Sequence, residues 1–343
     1  MYIENKLIMK YISYWLLWMF IIISIMIIVG GLTRLTDSGL SITQWELFTG
    51  ILPPFNETKW NMYFELYKET SEYKLQNNFM ILADFKVIFW WEFIHRFLGR
   101  LIGIFYLLPL VFFTIKLGFK KTKNLFIIFL LICFQGFIGW YMVSSGLINR
   151  VDVSHYRLSL HLVLAFVILS LILLNFLKFN KNLVSDKKIK YMLPGIFLLL
   201  IFLQISIGAF VSGMDAGKIY NTWPVMGMNY FPDDNFVESL FNLSVFDDPS
   251  LVQFIHRNLA YIIFLFYLLI SFYVYKNKFT VFYKTIYAIG CLLFIQILLG
   301  IFTLISGAQI FISSMHQISS IFLVSSSVYF LYQNSKINLQ PLD

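Results

Sequence analysis

Charged side chains are scarce. Lys, Arg, Asp and Glu make up 13% of the 343 residues, against 59% hydrophobic and 19% aromatic. A chain so poor in charge, with a strongly positive mean hydropathy, is excluded from the soluble globular class and reads as a polytopic membrane protein. Cysteine is nearly absent. Cys133 and Cys291 are the only two; both fall inside apolar runs, where packing is their expected role, and no disulfide framework or zinc pattern is present. No Arg/Ser-rich amphipathic presequence and no small-residue cleavage site precede the first apolar run, which favours a bacterial plasma membrane over import into an organelle.

What is there is apolar sequence in lengths that fit a bilayer. A span needs about 20 mainly apolar residues, and such stretches lie near 14–31, 93–115, 124–144, 158–178, 192–213, 253–275, 281–304 and 314–333. The expected fold is therefore all-α and integral to the membrane, with eight transmembrane helices. The formal charge of +8 does not indicate nucleic acid. Lysines cluster in alternate short loops: Lys116, Lys120, Lys121 and Lys123, then Lys178, Lys181, Lys187, Lys188 and Lys190, then Lys276, Lys278 and Lys284. The long loops between are acidic, with seven acids against four lysines over 36–91 and six against one over 214–252. The positive-inside rule places the lysine loops and both termini in the cytoplasm.

The chain is internally duplicated. Phe-Ile-His-Arg occurs in WEFIHRFLGR (91–100) and in VQFIHRNLAY (252–261). Gln135 follows His95 by 40 residues and Gln296 follows His256 by the same 40, each with a glycine four residues on, Gly139 and Gly300. A second histidine follows in each half, His161 in SLHL and His316 in SMHQ. GGLTRLTDSGLS and GAFVSGMDAGK each place an aspartate and a glycine just outside the membrane. Two four-helix bundles are expected, 1–180 and 190–343, and an even number of spans in each makes them a parallel repeat.

His95, His161, His256 and His316 all fall near the outer ends of even-numbered spans, at one depth. Ionisable side chains in hydrocarbon are costly and need partners. Two imidazoles facing across a bundle can supply both axial positions of a haem iron; zinc fits less well, because neither half offers a third ligand. Arg96 and Arg257 follow the first histidine of each half, Arg100 lies five residues past His95, and Arg157 lies one helical turn before His161. These four, with Arg34, are candidate partners for haem propionates. His155 has no counterpart in the second half and is expected to be a solvated loop residue.

The halves differ at one chemically pointed place. Glu92 precedes His95 by three residues, on the same helical face, where the second half has Gln253. Identical electron-transfer haems would not require that difference, so reaction is expected in the first half, with Glu92 as a base or as a stabiliser of positive charge on a substrate carbon, and a redox or structural haem in the second. The acidic, aromatic loop 36–91 is expected to pack over the first bundle as a lid.

GGLTRLTDSGLSITQWELFTGILPP, FELYKETSEY, ADFKVIFWWEFIHRFLGRLIG, QGFIGWYMVSSGL, VSHYRLSLHL, NTWPVMG, FIHR and MHQ, in that order, resemble the motifs of the haem A synthases, specifically the bacterial and mitochondrial-type branch. The resemblance covers nearly the whole chain. It implies an enzyme that oxidises a methyl group of haem O to a formyl group, with oxygen from water, giving haem A for cytochrome oxidase. It also implies haem B on His256 and His316, the substrate haem on His95 and His161, and a catalytic role for Glu92. Some relatives carry an outer-loop cysteine pair that this chain lacks. Haem O synthase, the oxidase assembly machinery and a second copy of the chain are the protein partners such a role brings into view. Two other classes compete. A dihaem b-type electron-transfer cytochrome would need haems at two depths, and a parallel-repeat transporter would need polar, broken spans at mid-membrane.

Overall fold

A computed structural model of the chain describes residues 2–45, 49–148, 150–180, 189–190 and 192–335. The loop lysines Lys181, Lys187 and Lys188, and the Glu46 to Phe48 part of the WELFTG motif, lie outside the described residues. Among the described residues the fold is helical: α1 Tyr2–Leu35, α2 Glu57–Lys68, α3 Ser71–Leu75, α4 Leu82–Leu117, α5 Phe119–Gly146, α6 His155–Asn180, α7 Met192–Gly213, α8 Pro249–Lys276, α9 Tyr283–Ile305 and α10 Ile310–Asn334, with short 3-10 turns in the loops between them.

Seven helices, all but α2, α3 and α10, are long and apolar enough to cross a membrane, and the chain is a multi-pass membrane protein. The eighth expected stretch forms α10, 25 residues long but interrupted by serines, His316 and Gln317. Its polarity has a physical reason: α10 packs against α1, α6, α7 and α9, so Ser314, Ser319, Ser327, Gln333 and Asn334 are buried against protein.

The helix order around the molecule follows the chain. α1 packs on α4 and α6, α4 on α5, and α5 on α6; likewise α7 packs on α8 and α10, α8 on α9, and α9 on α10. Contacts of α6 with α7, and of α10 with α1 and α6, join the two sets. On α1 the buried residues Ile12, Leu16, Met19, Ile23 and Ile27 recur at helical spacing, while Leu17, Trp18, Ile21 and Ile25 are exposed and equally apolar. Helix association in lipid rests on close packing and buried polar contacts, and both occur. Pro109 inside α4 cannot donate to the Phe105 carbonyl; the Trp15 indole N–H of α1 donates to it instead, at 3.0 Å. Gln317 of α10 donates to the Ile27 carbonyl at 2.9 Å, and the Asn334 amide brackets Ile189, accepting from its N–H at 2.9 Å and donating to its carbonyl at 3.0 Å.

The C-terminal ends of α1 and α7 close alike. Asp37 and Asp215 both have positive φ, 47° and 52°, a conformation aspartate tolerates better than most residues. α4 runs eleven residues beyond its expected start because the outer loop packs on it. Asn56 caps α2 by accepting from the Lys59 N–H at 2.9 Å, and α2 then sets Trp60 4.9 Å from Phe89 and Phe64 5.1 Å from Phe85, ring centre to ring centre. The second outer loop ends at an Asp248 cap and Pro249 in the first turn of α8.

Two expectations are corrected. His155 is not a solvated loop residue: it opens α6, is 9% exposed, pairs with Asp247 at 3.3 Å and packs edge-on to Phe210, because Gly213 of α7 leaves room for it. Cys133 and Cys291 are not packed inside; both are free thiols on outward faces of α5 and α9.

Candidate functional site

Four histidines project from α4, α6, α8 and α10, and each meets a glycine on the preceding long helix, α1, α5, α7 and α9 respectively. A Cβ on Gly30 would lie 3.1 Å from the His95 imidazole, on Gly139 3.0 Å from His161, on Gly208 3.0 Å from His256 and on Gly300 3.1 Å from His316. Any side chain at these positions would press each ring back by a few tenths of an ångström. Glutamines add polar support. The side-chain amides of Gln135, Gln204 and Gln296 donate to the backbone carbonyls of His161, His256 and His316 at 3.0, 3.0 and 3.1 Å.

The rings pair within each half. His95 and His161 have ring centres 6.4 Å apart, and His256 and His316 are electrostatic neighbours. An imidazole nitrogen binds a metal at about 2.0–2.1 Å, so two rings sharing one ion put their centres roughly 6.3 Å apart, and the first pair fits. Nδ1 of His161, His256 and His316 is buried without a hydrogen-bond partner, a cost that ligation or reorientation on binding would relieve. Among the described residues no three His, Cys, Asp or Glu side chains converge, so the donor set suits a macrocycle-bound iron needing two axial ligands, and a zinc cage lacks its ligands.

Glu92 is 2% exposed. Its Oε2 accepts from the Ser41 hydroxyl and the Ile42 N–H, both at 2.7 Å, and its Oε1 accepts from the Arg96 guanidinium at 2.5 Å. Gln253, at the equivalent place, donates to the Tyr220 carbonyl at 3.1 Å. The difference between the halves is thus matched by their surroundings, with donors around the acid and an acceptor beside the amide. Arg96 also donates to the Ile42 and Gln44 carbonyls at 2.9 and 3.3 Å. Arg257 does the same for the second half, reaching the carbonyls of Tyr220 and Thr222 at 3.0 Å and of Val225 at 3.2 Å. Both arginines keep a buried Nε without a hydrogen-bond partner. Arg100 lines a cavity with Tyr63, Phe93 and Arg96, under the outer loop. Arg157 is turned to α5, donating to Ser145 Oγ and, at 3.3 Å, to Tyr141 Oη. Arg34 is engaged where α1 meets α7: it pairs with Asp37, Asp152 and Asp215 at 2.5, 3.4 and 3.7 Å and donates to the Ser212 carbonyl at 2.8 Å.

Sequence reasoning passed over Gly30, Gly208, Ser41 and Glu72. Gly208 was detectable as the fourth residue after Gln204, matching Gln135–Gly139 and Gln296–Gly300; Gly30, which follows Met26, carries no such signal. Glu72, on α3, is 3% exposed, with Oε2 lacking a hydrogen-bond partner. Burial, then the charge of Glu92, raises its carboxyl from the ordinary 4.5 to about 9. The folded state therefore holds a proton that the unfolded chain has lost above pH 4.5, so this group favours folding at low pH and the advantage drains away as pH rises toward 9. Glu72→Gln is expected to flatten that dependence, worth up to about 1.4 kcal/mol per pH unit, measured as a smaller drop in Tm between pH 5.5 and 8 than in the unsubstituted protein.

Fold and site together define a multi-pass helical membrane protein that sets two pairs of glycine-backed histidines between its helices. The chain belongs to the cytochrome oxidase assembly protein family (COX15-CtaA), whose profile matches residues 13–328. It is 49% identical over 343 residues to the heme A synthase of Pelagibacter ubique, covering 98% of this chain and 100% of that relative. It is 42% identical over 342 residues to the heme A synthase of Rickettsia bellii (strain RML369-C), covering 95% and 99%. The heme A synthase of Rickettsia prowazekii is 40% identical over 330 residues, covering 94% and 98%. The resemblance read from the motifs holds.

Proposed function

We propose that the chain oxidises the methyl group of haem O to a formyl group, giving haem A for cytochrome oxidase. The full-length likeness to heme A synthases supports the activity, and the observation that carries the site is the doubled arrangement of glycine-backed histidine pairs. In this reading eight spans form two parallel four-helix bundles, 1–180 and 190–343, with both termini cytoplasmic in a bacterial plasma membrane. The closed order of helix neighbours within each set, the matching positive-φ aspartates and the lysine-rich alternate loops support it.

His95 and His161 hold the substrate haem, and His256 and His316 hold haem B. The resident haem supplies electron transfer when bound. This chain's own residues do the rest. The glycines admit the rings, the glutamines hold the histidine carbonyls, and Arg96 and Arg257 fasten the loops and would supply the charge to pair with haem propionates. Glu92, fixed by Arg96, Ser41 and Ile42, is a carboxylate placed to take a proton from water or to offset positive charge at the oxidised carbon. α2, packed on the first turns of α4, and α3, packed on α2, exclude bulk water from that half as a lid.

The test is pigment extraction from the purified protein after expression in a host that supplies haem O and has no haem A-forming activity of its own. Haem A in the extract is expected. Redox-active bound haem with no conversion would instead place the chain with the dihaem electron-transfer cytochromes.

A further inference from the structure

One structural motif recurs four times, in the helix pairs α1–α4, α5–α6, α7–α8 and α9–α10. In each a glycine on the first helix abuts the histidine of the second. One turn before that glycine stand Gln135, Gln204 and Gln296 in three pairs, and Met26 in the fourth. The three glutamines donate to the histidine carbonyls, and those of Gln204 and Gln296 also lie 3.3 and 3.4 Å from the imidazole Nε2. Met26 has no N–H to offer, and its methyl lies 3.5 Å from the Cβ position of Gly99, one turn beyond His95.

We propose that the absence of a glutamine clamp at Met26 makes His95 the exchangeable ligand, so that the first half can release a haem that the second half retains. The inference rests on the reading that His95 and His161 hold the substrate and His256 and His316 the resident haem. The physical argument is preorganisation. An amide held on the histidine carbonyl fixes the roll of the helix and hence the ring, so less ordering is needed when the iron is ligated. A thioether imposes no direction and packs in several ways. A resident cofactor is best served by two clamped rings. A substrate that must enter, react and leave as product is served by one clamped ring, His161, and one free to swing.

The experiment measures the rate at which haem passes from the purified, haem-loaded protein to an excess of apomyoglobin, followed by absorbance, together with the haem remaining in each half. Met26→Gln is expected to slow release from the first half about tenfold, equal to about 1.4 kcal/mol, and Met26→Leu to leave it unchanged. Gln204→Met is expected to speed release of the resident haem by a similar factor. Unchanged release in both Met26→Gln and Gln204→Met overturns the proposal, as does faster release on Met26→Gln. Should Met26→Gln fail to fold, the Gln204→Met arm decides: an unaltered rate there overturns it too. If His95→Ala binds as much haem as the unsubstituted protein, it is the assignment of the first half as a haem site that fails, a result separable from either rate.

Discussion

Alanine at His256 or His316 is expected to strip the resident haem from the purified protein, while alanine at His95 or His161 leaves it in place. Each of these rings is wedged against a glycine, with Cβ-to-ring distances of 3.0 and 3.1 Å for the second pair, and each backbone carbonyl is held by a glutamine at 3.0 and 3.1 Å. Among the described residues no third His, Cys, Asp or Glu converges on either pair to replace a lost ligand. Loss of an outer-shell partner of a metal ligand already costs roughly 10–100-fold in affinity, so loss of the ligand itself is expected to exceed about 100-fold. The pyridine haemochrome content of the four alanine variants, compared side by side, reports this directly. Equal loss from both pairs would refute the division into a substrate half and a cofactor half. Full retention in all four would remove the histidines from haem binding altogether.

The pairing of these histidines was legible in the sequence because ionisable groups are costly in hydrocarbon and therefore few. A duplicated FIHR with a second histidine at nearly the same spacing needs no coordinates to be noticed. The clamps were half legible. Gln135 and Gln296 share a 40-residue offset from the first histidine of their halves, but Gln204 lies 52 residues before its partner His256, across the long outer loop, and only the contact reveals it. Helix faces were not legible at all: on α1 the buried Ile23 and the exposed Ile25 are the same residue type, since lipid and protein interior are equally apolar. The same blindness misplaced Cys133 and Cys291, which face outward. His155 was misjudged for a different reason. Its burial depends on Gly213 and Asp247, which come from a neighbouring helix and a distant loop, and no local pattern announces either. α10 shows the converse: its serines lower its hydropathy because it is surrounded by protein.

Glu92→Gln is expected to lower haem A formation at least about 100-fold, the lower end of what a positioned proton-transfer group contributes, with both haems still bound. In sequence alone the Glu92 and Gln253 difference reads as chemistry; the surroundings add a second cause, because the three groups on Glu92 all donate while Tyr220 beside Gln253 accepts. A glutamine at 92 would turn an N–H₂ toward donors, loosening the strand of loop at Ser41 and Ile42 as well as removing the acid. Ser41→Ala separates the two effects. It deletes one donor at 2.7 Å and leaves the carboxylate on Arg96 and the Ile42 N–H, a loss of about 1 kcal/mol and hence no more than about a fivefold change in rate. Extracted pigment should then be mostly haem A in Ser41→Ala and almost entirely unconverted or partly oxidised haem in Glu92→Gln. If the two variants fall together, with the loop equally open to protease in both, the carboxylate is an anchor for the loop and the proton-handling group must be sought elsewhere. Gln253→Glu completes the comparison: it sets a buried acid against the Tyr220 carbonyl and leaves Arg257 to serve both oxygens, so it is expected to cost stability, by about 1–3 kcal/mol, and to confer no conversion on the second half.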